Sequence, residues 1–163
     1  MYRSSCEVGK GLLAAQGYYQ LGMTAESQSA LDALPDEDRR QPHWFELSIL
    51  LQLESKDYST VLDLCETTIR LFPNIPSGYL NKAFVLHELG RIEEALKVIE
   101  DSHCKFKGEP IVAYRRACFL ACLRRYDEAI VSAEMALLTD PRLYHSAMQD
   151  PDFVAIRHYF KSK

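Results

Sequence analysis

Ser27, Val61, Ala95 and Ala129 stand 34 residues apart, and none of the four is large. A fixed period between roughly 20 and 50 residues marks a stacked repeat protein, in which each unit buries its apolar face on the next. Other columns keep the same register. Leu89-Gly90-Arg91-Ile92-Glu93-Glu94-Ala95 aligns with Leu123-Arg124-Arg125-Tyr126-Asp127-Glu128-Ala129, and the stretches 55–61 and 21–27 fall at the same place. Each reads as a short turn feeding a new helix. Gly22 and Gly90 suit the position after a helix end, where a positive φ is cheap only for glycine. Thr24 is expected to be an N-cap.

Apolar helices flank each turn. Between Tyr79 and Leu89 the inward residues are Tyr79, Ala83, Val85 and Leu86; from Ile92 onward Ala95, Leu96 and Ile99 share a face. Segments 112–123 and 126–138 repeat the scheme. Pro73 and Pro141, two periods apart, close the second and fourth units. The first unit is degenerate. Its second helix, about 25–34, stops at Pro35 before the polar link Asp36-Glu37-Asp38-Arg39-Arg40. Asp150-Pro151-Asp152 reads as a helix start, with a cap, proline at the first helical position and an acid in the first turn. Phe153, Ile156 and Phe160 then form a stripe expected to cover the fourth unit. The expected organisation is a single domain over 1–163, with repeats near 8–40, 41–74, 75–109 and 110–143 and a cap at 144–163.

Composition agrees with an all-α chain. Hydrophobic residues make up 47% and charged residues 26%, enough to fold, while seven glycines and seven prolines are few for an all-β protein. Net charge is −4 and no long basic run occurs, only pairs such as Arg39-Arg40 and Arg115-Arg116, so no nucleic-acid partner is expected. No apolar run approaches the ~20 residues that span a bilayer, so no membrane insertion is expected. Five cysteines without framework spacing, and no secretory-type apolar segment near Cys6, point to a reducing, cytoplasmic setting.

Chemistry is poorly supported. Cys118 and Cys122 lie four apart on one helix face, but a structural zinc site favours pairs such as Cys-x₂-Cys, and none is present. His43, His87, His145 and His158 show no ligand spacing, and His103-Cys104 has nothing nearby to recommend it. No metal and no cofactor are expected. A serine elbow, a phosphate loop and a His-Glu zinc helix are all lacking, so the chain is not read as an enzyme.

Taken together, the repeated columns resemble the tetratricopeptide repeat family. Trp44, Leu47, Ser48 and Leu51 are similar to its first-helix pattern, as are Tyr79, Ala83 and Leu86. Ala117, Leu120, Tyr126, Ala129, Ala133, Ala136 and Pro141 follow the pattern most fully; Ala15 and Tyr18 follow it in the first unit. The resemblance implies a right-handed α-solenoid of antiparallel helix pairs, a non-enzymatic scaffold or adaptor whose concave groove takes a peptide or helix of a partner protein. Groove positions implied by it are Phe45, Ile49, Leu80, Asn81, Phe84, His87, Tyr114, Arg115 and Cys118, flanked by Leu12, Gln16, Gln52 and Ala121. Asn81 and Arg115 also resemble two positions of a clamp that holds chaperone C-terminal carboxylates, but Phe45, Ile49 and Ile111 stand where the rest of that clamp would be. Three alternatives stay open. Some groove residues belong to the core, the chain's own C-terminal segment fills the groove, or the protein self-associates as a homo-oligomer.

Overall fold

The turn inside each of the four repeat helix pairs closes in the same way. The computed structural model describes residues 5–160, and side-chain burial from residue 9. Among the described residues there are ten α-helices, two 3₁₀ turns and no strand, an all-α arrangement of antiparallel helix pairs. The chain divides into two compact units, with the break between Gly78 and Tyr79. The first unit holds α1 (Ser5–Gln20), α2 (Thr24–Asp32), a 3₁₀ turn (Asp38–Arg40), α3 (Pro42–Glu54), α4 (Tyr58–Leu71) and the opening turn of α5 (Pro76–Glu88). The second holds the rest of α5, then α6 (Ile92–His103), α7 (Pro110–Cys122), α8 (Tyr126–Thr139), α9 (Leu143–Gln149), a 3₁₀ turn (Pro151–Phe153) and α10 (Arg157–Phe160).

The turns explain the 34-residue period. The N–H groups of Met23, Asp57, Arg91 and Arg125 each donate to the carbonyl five residues back, at 2.9, 3.0, 2.8 and 2.9 Å. The residue before each donates three residues back, which completes a Schellman closure. That closure needs a left-handed residue, and φ is +74° at Gly22, +57° at Lys56, +74° at Gly90 and +61° at Arg124. Glycine fills the place in only two repeats. A side chain there costs about 1–2 kcal/mol, so Lys56→Gly and Arg124→Gly should each raise unfolding stability, by about 1 kcal/mol in urea titrations. Pro42, Pro76 and Pro110 share a second column, each opening the first helix of a pair, where the missing N–H has no helical partner to lose.

The helices that follow the second, third and fourth turns are anchored by local polar contacts. Asp57 accepts from the Thr60 N–H at 3.2 Å, and the Arg91–Glu94 and Arg125–Glu128 pairs form two-pronged forks at 2.6–2.7 Å. Thr24 is the first residue of α2; the cap is Met23, which makes no side-chain cap bond, so the expected threonine cap is corrected. The 34-residue column itself is completely buried: Ser27, Val61, Ala95 and Ala129 are each 0% exposed. Ser27 satisfies its hydroxyl by donating to the Ala15 carbonyl at 2.8 Å.

In the first unit the core joins Ala15, Leu31, Leu34, Leu47 and Leu51, with Leu12, Tyr19, Ala30 and Trp44 packed against it. Arg39 ties the link after α2, donating to the carbonyls of Leu34 and Asp32. In the second unit α7 is buried almost all round, from Val112 to Ala121 save Arg115 and Arg116. The C-terminal cap is not one continuous helix. Asp150 does cap the turn, accepting from the Asp152 N–H at 2.9 Å, but the turn is 3₁₀ and α10 is short. Arg157 fastens the two by donating to the Asp150 carbonyl at 2.8 Å, and Phe153, Ile156 and Phe160 are buried as their spacing suggested.

Candidate interaction site

Tyr114, Cys118 and Cys122 recur every fourth residue, so they form one stripe along α7. The turn Asp150-Pro151-Asp152-Phe153 sits on that stripe. The Tyr114 hydroxyl donates to Asp150 Oδ2 at 2.6 Å, and the Phe153 ring lies nearly parallel to the Tyr114 ring, 5.1 Å away at 14°. Cys118 Sγ is 3.7 Å from the same Asp150 oxygen. From α5, His87 Nε2 approaches Asp152 Oδ2 at 3.3 Å and Cys122 Sγ at 3.9 Å, while its ring stacks on Phe119 at 5.5 Å. The helix N-terminus logic that makes Asp150 a cap also turns its carboxylate toward α7, because Pro151 and the Asp152 N–H fix the turn.

Two carboxylates against a half-sheltered stripe shift its acids strongly. Burial, then the hydrogen bond to Asp150, pushes the Tyr114 phenol well above its ordinary range. Burial and the Asp150 charge do the same to the Cys118 thiol. Cys122 is pushed up to about 12, chiefly by desolvation and next by the Asp152 carboxylate. All three are therefore disfavoured as anions near neutral pH.

The nine expected groove residues separate into three groups. Phe45 and Ile49 are buried at 6% and 0% exposure, Phe45 within edge-on contact of Trp44 and Phe72. The physical reason is that α3 buries Phe45, Leu47, Ser48, Ile49 and Leu51, which leaves it no single inward face, so neither residue is a surface contact. Tyr114, Cys118 and His87 lie against the chain's own turn. Leu80, Asn81, Phe84 and Arg115 keep partial exposure. Sequence spacing missed the grouping of His87, Cys122 and Asp152, whose ligand atoms all lie within 4.8 Å of one another, and of Cys118, Asp150 and Asp152, which do likewise. A signal existed: His87 falls one residue from the column of Cys122 in the adjoining repeat.

Solved structures share this arrangement of helix pairs. A thermophilic TPR protein from Thermus thermophilus superposes with a TM-score of 0.70 at 19% identity, over 82% of this chain and 75% of that one. The fold is the tetratricopeptide-repeat fold. MamA from Desulfovibrio magneticus RS-1, residues 41 to the end, carries the same repeat at a TM-score of 0.70 and 15% identity, over 95% of this chain and 92% of its own. A MamA described as MSR-1 gives 0.64 at 17%, over 86% and 82%. No family model matches the sequence, and no curated protein matches it. In tetratricopeptide terms, α5 and α7 are first helices of their pairs. Among the described residues no helix is long and apolar enough to cross a membrane.

Proposed function

We propose that the protein is a non-enzymatic interaction scaffold that binds a peptide or helix of a partner protein along α5 and α7, beside the seat of its own C-terminal turn. One observation carries this reading. The α7 stripe already holds a four-residue peptide turn through a hydrogen bond from the Tyr114 phenol to the Asp150 carboxylate and an aromatic stack. The contacts left to a partner are Leu80, Asn81, Phe84 and Arg115, an aromatic and an arginine among them, the residue types that dominate interface energetics. Burying roughly 400 Å² of apolar surface gives about 10 kcal/mol gross. Association costs of about 4–15 kcal/mol offset most of that, so affinity for a single peptide should be micromolar. Cys104, Cys118 and Cys122 carry free thiols, in keeping with a reducing, cytoplasmic setting.

The double variant Phe84→Asp, Arg115→Glu tests it. Both side chains are partly exposed, so circular dichroism should be unchanged, while partner capture from native lysate should fall at least about tenfold, or 1.4 kcal/mol. Capture at wild-type level would place the docking surface elsewhere.

A second reading, self-association, has its own support. Val131, Met135 and Leu138 form an exposed apolar stripe on α8, with Leu138 83% exposed. Beside it lies a hollow of about 420 Å³ lined by Glu134, Leu137, Leu138, Tyr144 and Phe160. Sedimentation across a concentration series separates the two readings, since only self-association makes mass rise with concentration.

A further inference from the structure

We propose that His87, Cys122 and Asp152 bind a divalent zinc-class cation that latches the C-terminal turn onto α5 and α7. The donors are one imidazole nitrogen, one thiolate and one carboxylate, a borderline-soft set that suits zinc and not the all-oxygen preference of calcium or magnesium. Their spacing has the dimensions of a coordination tetrahedron. With zinc–nitrogen and zinc–oxygen bonds of about 2.0–2.1 Å and zinc–sulfur of about 2.3 Å, tetrahedral edges come to about 3.3 Å between nitrogen and oxygen and about 3.6 Å between nitrogen and sulfur. The observed separations are 3.3 Å for His87 Nε2 to Asp152 Oδ2 and 3.9 Å for His87 Nε2 to Cys122 Sγ, so shifts of a few tenths of an ångström suffice.

The surroundings favour these three over their neighbours. Asp150 is committed to the Tyr114 hydroxyl, and Cys118 is 0% exposed. By contrast Cys122 is open to solvent, and the side chains of His87 and Asp152 are 23% and 17% exposed, which leaves an entry path and a fourth position for water. The other histidine nitrogen, Nδ1, faces the Glu88 carboxylate at 3.7 Å, as outer carboxylates face metal-bound histidines. Binding replaces the Cys122 S–H bond with a sulfur–metal bond and releases that proton to solvent, so affinity should rise with pH. It also sets a cation between a carboxylate and a histidine that otherwise meet only at the edge of hydrogen-bond range. This latch stands independently of any partner, because its ligands come from this chain alone.

Zinc titration of the intact chain, monitored by calorimetry and by competition with a chromophoric chelator, should give one ion per chain. Cobalt in its place should show a visible tetrahedral band and a thiolate charge-transfer band. Cys122→Ser and Asp152→Asn should each weaken zinc at least about tenfold, with helicity retained. Cys104→Ser, which removes the other described exposed cysteine, should leave affinity unchanged. Zinc should also slow alkylation of Cys122 and not of Cys104. Equal affinity in Cys122→Ser and wild type, or a cobalt adduct lacking the thiolate band, would overturn the proposal. Should His87→Ala fail to fold, the two conservative variants still decide it.

Discussion

Arginine in place of Ala129 should unfold the last helix pair of the repeat. Ala129 is 0% exposed and lies on the same face of α8 as Ser132, Ala133 and Ala136, none more than 1% exposed. That face packs on α7, so the side chain has no volume to enter. Overpacking alone costs about 1–3 kcal/mol, and an unpaired buried cation adds several more. Nearby acceptors are already engaged: Arg116 bonds Ser132 Oγ and reaches Glu100 at 3.3 Å. A total on the order of 5 kcal/mol equals the low end of a domain's whole stability. Amide exchange should lose protection across α7 and α8, and helicity should drop. Ala129→Ser is the control. The first repeat carries serine at this place and satisfies it on the carbonyl twelve residues back, so the same bond to the Ala117 carbonyl is available and the cost should stay near 1 kcal/mol. Equal melting of Ala129→Arg and wild type would contradict the register.

The fold was legible because its determinants are local and repeated. A small residue every 34 positions, glycines after helix ends and proline stops are each written in single residues, and the helix pairs follow from them. Half of the turn signal was hidden, since Lys56 and Arg124 take the left-handed position with no glycine to announce it. The site was less legible, for two reasons. Helical spacing tells which residues share a face but not what covers that face, so Phe45 and Ile49 resembled groove residues although α3 is buried on more than one side. And a contact such as His87 with Asp152 joins positions 65 residues apart, through a cap that breaks the period. The Asp-Pro-Asp turn itself was readable as a cap; its role as occupant of α7 depends on where the 3₁₀ geometry aims Phe153 and both carboxylates.

Removing the ring of that occupant should release it. Phe153 is 0% exposed, stacked on Tyr114 and 6.4 Å from Phe160. Truncation to alanine costs about 3–5 kcal/mol at a buried phenylalanine, more than the single hydrogen bond from Tyr114 to Asp150 can hold at about 1.5–3 kcal/mol to a charged acceptor. Trypsin should then cut faster at Arg157, whose guanidinium is otherwise held on the Asp150 carbonyl. Tyr114 provides the direct readout. Its phenol is held above the ordinary range by burial and by the bond to Asp150, and both causes disappear with the turn, so its ionisation should move down toward that of a free tyrosine. The sign follows from which form is disfavoured: phenolate is the form that burial and a neighbouring carboxylate oppose, so removing them makes ionisation easier. Asp150→Asn separates the causes, since the ring stack can persist while the charge is gone, giving a smaller downward shift and a smaller loss of stability. A Phe153→Ala protein with unchanged tryptic pattern and unchanged Tyr114 titration, followed by ¹³C-labelled tyrosine resonances, would mean that the stack does not hold the turn on α7.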